Sequence, residues 1–276
     1  MTIRKEKNMI SLDWKERLVQ DTEDFIERKL PAGDYDIDII YNAYPQRIDN
    51  NIPQAVITLV GKTFGSKLSR KYDKFLPFYD YLIQEKGENG RMIFAYIMAR
   101  AVKRQNKIFI PYLENFLINN KDQKSCNLVI DKSIFPLLKN EPLEHIDLIL
   151  NWIKKDNEIL TLALQKMLVK LMTTNPEIIK PLFHKLENSW LYATPNLIKL
   201  NSNLIKAIYK IDPDFYDQIF KNYHSTRNPI FAEILCNAIC CCNETIQSIC
   251  DNWAMSGNIK LKKIGSHAQK ILSKKK

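Results

Sequence analysis

Glycine is scarce in this chain, with 7 among 276 residues. Tight turns and phosphate-cradling loops draw on glycine where the backbone turns left-handed, so a turn-rich sheet fold is disfavoured and helix is favoured. No P-loop, dinucleotide fingerprint, H-E-x-x-H run or G-x-S-x-G elbow occurs, which removes the common nucleotide, zinc-protease and serine-hydrolase chemistries. The six cysteines, Cys126, Cys236, Cys240, Cys241, Cys242 and Cys250, contain no C-x-x-C spacing. They read as small apolar side chains in a reducing compartment, not as a disulfide framework or zinc knuckle. His145, His184, His224 and His267 are scattered, so no metal and no cofactor is expected. No apolar run approaches the roughly 18 residues of a membrane span, and MTIRKEKNMI lacks an apolar signal core. The expectation is a monomeric cytoplasmic protein away from the membrane.

What the chain does contain is helical periodicity. Prolines recur at 111, 142, 176 and 213, each expected to open a helix, in IPYLENFL, EPLEHIDLILNWI, NPEIIKPLFHKL and DPDFYDQIF. Proline suits the first helical position, where its missing N–H would be unpaired anyway, and a preceding Asn or Asp can cap. Second helices are expected near 125–138, 156–173 and 195–211, with apolar faces such as Leu148, Ile149 and Trp152. Two helices every 31–37 residues point to an all-α, HEAT-like solenoid of antiparallel helix pairs, curved with a concave groove. The stretch Asp34–Ile40 alternates like a strand but has no partner, and reads as an Asp-capped helix start. Residues 1–259 are expected to form one domain and 260–276 a Lys-rich, frayed tail.

The net charge of +10 is unevenly spread, for the seven lysines of 260–276 supply +7 and the rest only +3. A second concentration lies between Arg91 and Lys107, with five cations and no acid. On a helix, Arg100, Lys103, Arg104 and Lys107 share one face, while Met92, Ala95, Ala99 and Val102 form an apolar stripe elsewhere. Lys62, Lys67, Arg70, Lys71 and Lys74 precede them against a single acid, Asp73. Such a stripe suits phosphates, though a solvated face explains it equally well. Asp131 lies in a stripe with Leu128, Phe135 and Leu138. A carboxylate there needs a partner such as Lys132, or is kept for chemistry. Trp152 reads as core, whereas Trp190 could stand exposed at a turn with Tyr192.

Residues 88–217 resemble the HEAT-like DNA alkylation repair family, the AlkD-type DNA glycosylases. The matching stretches, in order, are NGRMIFAYIMARAVKR, FIPYLENFL, NLVIDKSIFP, LNWIKKDNEI and LIKAIYKIDPDFYDQIF. The resemblance implies a protein that lays duplex DNA along a concave face and hydrolyses the N-glycosidic bond of cationic alkylated purines. A carboxylate would stabilise the oxocarbenium-like sugar, and it maps to Asp131. The chain departs from the family at three positions: Asn127 and Asn203 stand where the family has tryptophans, and Leu162 where it has an arginine. Asparagine can hydrogen-bond a phosphate or base edge but offers no π face. The implied DNA contacts are Arg100, Lys103, Arg104, Lys107, Asn127, Lys154, Lys155, Lys199 and Asn203. The alternative is a catalytically silent protein–protein scaffold using the same fold.

Overall fold

A computed structural model describes residues 2–42, 52–68 and 71–275, with side chains from residue 14 onward. Among the described residues the chain is all-α, without a strand. Arg70 of the upstream basic run, and the Leu12 side chain of the first amphipathic segment, lie outside the described residues. The contacts divide the chain into two compact units, Met1–Pro136 and Leu137–Lys276. The expected division at residue 259 is therefore not the one observed.

Unit 1 contains α1 (Thr2–Arg28), α2 (Asp38–Asn42), α3 (Gln54–Lys67), α4 (Leu76–Gln84), α5 (Gly87–Arg104), α6 (Asn106–Asn119) and α7 (Gln123–Val129). A 3-10 turn, Tyr72–Phe75, leads into α4, and a π-helical turn, Ile130–Ile134, joins α7 to α8 (Phe135–Asn140). The Asp34–Ile40 stretch does enter a helix, with the Asp36 carboxylate accepting the Asp38 N–H at 3.3 Å. Helix α5 is the spine: α3, α4, α6, α7 and the π turn all pack on it. Its contact with α3 is close because Gly61 and Gly65 face Tyr96 and Ile97; a Cβ at Gly65 would lie 2.9 Å from the Tyr96 carbonyl. Phe25, Phe64 and Phe78 interlock beside this crossing at ring separations of 5.2–6.4 Å. Burial of such rings is the main stabilising term here, at about 25 cal/mol per Å² of apolar surface.

Unit 2 contains α9 (Pro142–Ile153), α10 (Glu158–Thr174), α11 (Ile179–Glu187), α12 (Pro195–Ile211), α13 (Pro213–Asn222), α14 (Pro229–Ala238), α15 (Glu244–Ala254) and α16 (Ile259–Leu272). Alternate helices stack: α10 on α12, α12 on α14 and α14 on α16, with α9 on α11 and α13 on α15. The boundaries follow from the sequence. Thr194 caps α12 ahead of Pro195, and Asp212 caps α13 ahead of Pro213 by accepting the Phe215 N–H at 3.0 Å. Leu197, Leu200, Leu204, Ile205 and Ile208 form the buried face of α12. Ser202 Oγ donates to the Ile234 carbonyl at 3.0 Å, fastening α12 to α14.

Two expectations fail. Pro111 does not open its helix but sits inside α6. Gln105 alone separates α5 from α6, so the helix starts five residues earlier, and the proline leaves one carbonyl, that of Lys107, without its intrahelical donor. The Lys-rich segment is likewise no frayed end. It forms α16, burying Leu261, Gly265, Ala268 and Leu272 against α14 and α15. Its lysines occupy the solvent side of an amphipathic helix.

Candidate nucleic-acid interface

Unit 1 carries the denser group. Arg100, Lys103 and Arg104 are exposed on the last turns of α5. The four-residue stripe expected on one helix is cut short, because α5 ends at Arg104 and Lys107 stands exposed in the first turn of α6. Cations at a helix C-terminus also complement its dipole, which lowers the cost of gathering them. The α3 end and the 3-10 turn meet this group. Tyr72 donates to the Gly65 carbonyl at 2.5 Å, and its phenol is held above the ordinary range by burial, against the opposing pull of Arg104 and Arg100. Lys71 and Lys74 are exposed beside it. Lys67 is partly neutralised by Glu23 at 3.0 Å.

One helical turn before Arg100 stands Tyr96, half-buried, with Lys62 Nζ 5.9 Å from its ring centroid. A cation at that distance is attracted by the face of the ring. Tyr96 also acts electrostatically on Lys132, and Lys132 donates to Asp131 at 2.9 Å. Asp131 thus has the partner that its apolar stripe called for. Both side chains remain about a third exposed, at 37% for Asp131 and 35% for Lys132. The Asp131 hydrogen bond holds the Lys132 ammonium above its usual range, so it stays charged. Asp131 lies in the π turn, which Ser133 fixes to α5 by donating to the Ala95 carbonyl at 3.3 Å. π turns inside α-helices recur at functional sites. Asn127, half-buried one turn earlier, accepts from Gln123 at 3.2 Å. Sequence reasoning missed Tyr96, which reads as one more bulky member of MIFAYIMAR; its signal is that Arg100 follows four residues later.

Unit 2 carries the remaining predicted contacts. Lys154 and Lys155 are exposed where α9 ends. The next residue, Asp156, adopts φ 52°, and its carboxylate accepts from Thr194 at 2.6 Å and Asn196 at 3.1 Å. This ties the α9–α10 turn to the start of α12, whose second turn bears the exposed Lys199. Asn203, half-buried further along α12, donates to Gln165 at 3.0 Å. Trp152 is core, as expected. Trp190 is a correction: the turn is there, but its ring is 0% exposed, packed edge-on against Phe183 and Phe231. The neighbouring Tyr192 takes the solvent position at 81%.

Among the described residues, Glu141, Glu144 and His145 form the one grouping whose ligand atoms all lie within 4.8 Å. They occupy the first turn of α9, where the helix dipole already favours carboxylates. No described helix is long and apolar enough to cross a membrane.

Comparison with family models, curated proteins and solved structures finds no match.

Proposed function

We propose that this chain is a DNA-alkylation-repair-like protein that binds duplex DNA through the basic surface of unit 1, with Asp131 poised to act on the sugar of a damaged nucleotide. The observation that carries the reading is the company Asp131 keeps. A carboxylate, a cation bonded to it, the Tyr96 ring and exposed Arg100, Lys103 and Arg104 follow one another along α5 and the π turn. Phosphates would be neutralised by the cations, while the ring supplies the π face that Asn127 and Asn203 lack. Asp131 would stabilise positive charge on the sugar and orient water as an alkylated purine departs. The stacking of alternate helices in unit 2 supports the HEAT-like solenoid reading, and Lys154, Lys155 and Lys199 supply further phosphate contacts there.

The test pairs base release from a methylated duplex with duplex binding across a salt series, for the wild type and Asp131→Asn. The expected outcome is release that disappears in Asp131→Asn while binding persists. Binding should weaken steeply with salt, and R100E/R104E should flatten that dependence by a slope of about 2. Salt-insensitive binding, or none at micromolar protein, would sink the proposal. Binding without release would leave a silent DNA-binding relative.

A second reading, a protein-binding scaffold, draws on unit 2. Leu143, Leu191, Tyr192, Met255 and Ile259 are large apolar side chains left exposed there, and exposed apolar groups are the usual material of protein contacts. Duplex binding absent in both proteins would favour it.

A further inference from the structure

Within unit 1, α4, α5, α6 and the loop before α7 line an open cleft of about 330 Å³, the lower end of the size range for small-ligand sites. Its wall includes Arg91, Asp80, Gln84, Tyr112, Asn119 and Asn120. None of these residues belongs to the proposed DNA surface.

Arg91 is the unusual member. Its side chain is only 27% exposed, yet its nearest acid, Asp122, stands at 3.6 Å, beyond hydrogen-bond length. The Asp122 carboxylate is already occupied: it accepts the Lys124 and Ser125 backbone N–H groups at 3.1 and 3.2 Å and the Ser125 hydroxyl. Arg91 Nε is shielded from water with no hydrogen-bond partner, and so is the amide nitrogen of Asn120, whose oxygen accepts the Asp122 N–H at 2.8 Å. Buried donors are costly to leave unpaired. Arg91 lines the cleft, and the two outer nitrogens of a guanidinium make a planar fork that matches a carboxylate.

The rest of the wall sets the ligand's other properties. Asp80 accepts the Tyr112 hydroxyl at 2.8 Å through one oxygen. Lys121 also lines the wall, so its two cations, Arg91 and Lys121, stand against one carboxylate, Asp80; a single negative charge balances that excess, whereas a dianion would exceed it beside Asp122. Gln84 and Asn119 lie exposed at the rim; amides there, with the second Asp80 oxygen, suit hydroxyl groups. Tyr112 and Phe116 add half-buried ring surface.

We propose that this cleft binds a small hydroxylated monocarboxylate, of the sugar-acid class, with Arg91 as its carboxylate anchor. Calorimetric titration of the full chain with D-glucuronate tests it, with D-glucose and inorganic phosphate as comparison probes. The expected result is saturable glucuronate binding, with glucose and phosphate at least about tenfold weaker. Arg91→Met should weaken glucuronate by about tenfold or more, and Asn119→Asp, which adds a like charge at the exposed rim, by several-fold. Should Arg91→Met fail to fold because Asp122 loses its counter-charge, Asn119→Asp decides alone. No saturation below about 10 mM, equal binding of phosphate, or unchanged affinity in every folded variant would overturn the assignment. Duplex binding is unaffected by either result, so the two proposals fail separately.

Discussion

Asp131 and Tyr96 carry different parts of the proposed chemistry, and substitution separates them. Tyr96→Leu keeps the apolar contact with α3 but removes the ring face and hydroxyl. Base release should fall by about tenfold or more, a loss of about 1.4 kcal/mol of transition-state stabilisation, with a smaller loss of duplex affinity; unchanged single-turnover rates would remove Tyr96 from the site. Cysteine reactivity gives a second test at this scale. Burial pushes the thiols of Cys126 up to about 11, and of Cys236 and Cys250 up to about 12. The half-buried Cys240, Cys241 and Cys242 should therefore take up iodoacetamide at pH 8 well before the other three, as mass spectrometry of timed samples would show. Asp122 supplies the pH test. The Ser125 hydroxyl and the α7 backbone donors hold its carboxyl below the ordinary aspartate value. A depressed carboxyl contributes stability that is present above the unfolded value and lost as pH falls through the folded one. Asp122→Ala should cost about 1 kcal/mol at neutral pH, and the difference from wild type should shrink in urea titrations below about pH 4.

At the scale of elements, much was legible because local signals and packing agree. Pro142 and Pro213 open α9 and α13, as their spacing implies, and the helix expected over 195–211 has those bounds. Pro111 misled because no local signal reveals that one residue suffices between α5 and α6. The same break ended the basic stripe at Arg104. The lysines of α16 hid its helix: their charge dominates the composition, while Leu261, Ala268 and Leu272 carry the burial. Asp131 stood out as a carboxylate among apolar neighbours, but its π turn and its nearness to Tyr96 depend on contacts made between helices. Close crossings are equally invisible in sequence. A Cβ at Gly265 would meet the Ala254 nitrogen at 2.2 Å, so Gly265→Ala should destabilise the α15–α16 contact by about 1–3 kcal/mol. A melting temperature equal to wild type would show that α16 can shift to accommodate it.

At the scale of the whole molecule, charge and structure are distributed differently. The segment 260–276 supplies +7 of the net +10, yet most of it is a packed helix of unit 2. Removing residues 259–276 should therefore do more than lower the charge. It strips the cover from α14 and α15, and the shortened chain should melt at lower temperature and bind a hydrophobic dye. A merely solubilising tail could be removed without either change. Duplex affinity, if it resides in the α5 cations, should by contrast survive neutralisation of Lys260, Lys262 and Lys263 by glutamine with only a modest change in salt slope.

The π turn at Ile130–Ile134 is, in terms of chain length, one residue more than an α-helix would use. Deleting a single residue there would restore the 3.6-residue period, because the π turn already absorbs the extra residue within the helix. Asp131 and Ser133 could not then both keep their places against α5. A one-codon deletion is thus a switch between a helix that merely spans the distance and one that also presents a carboxylate, and an insertion of the same size is the shortest route by which such a helix could have acquired it.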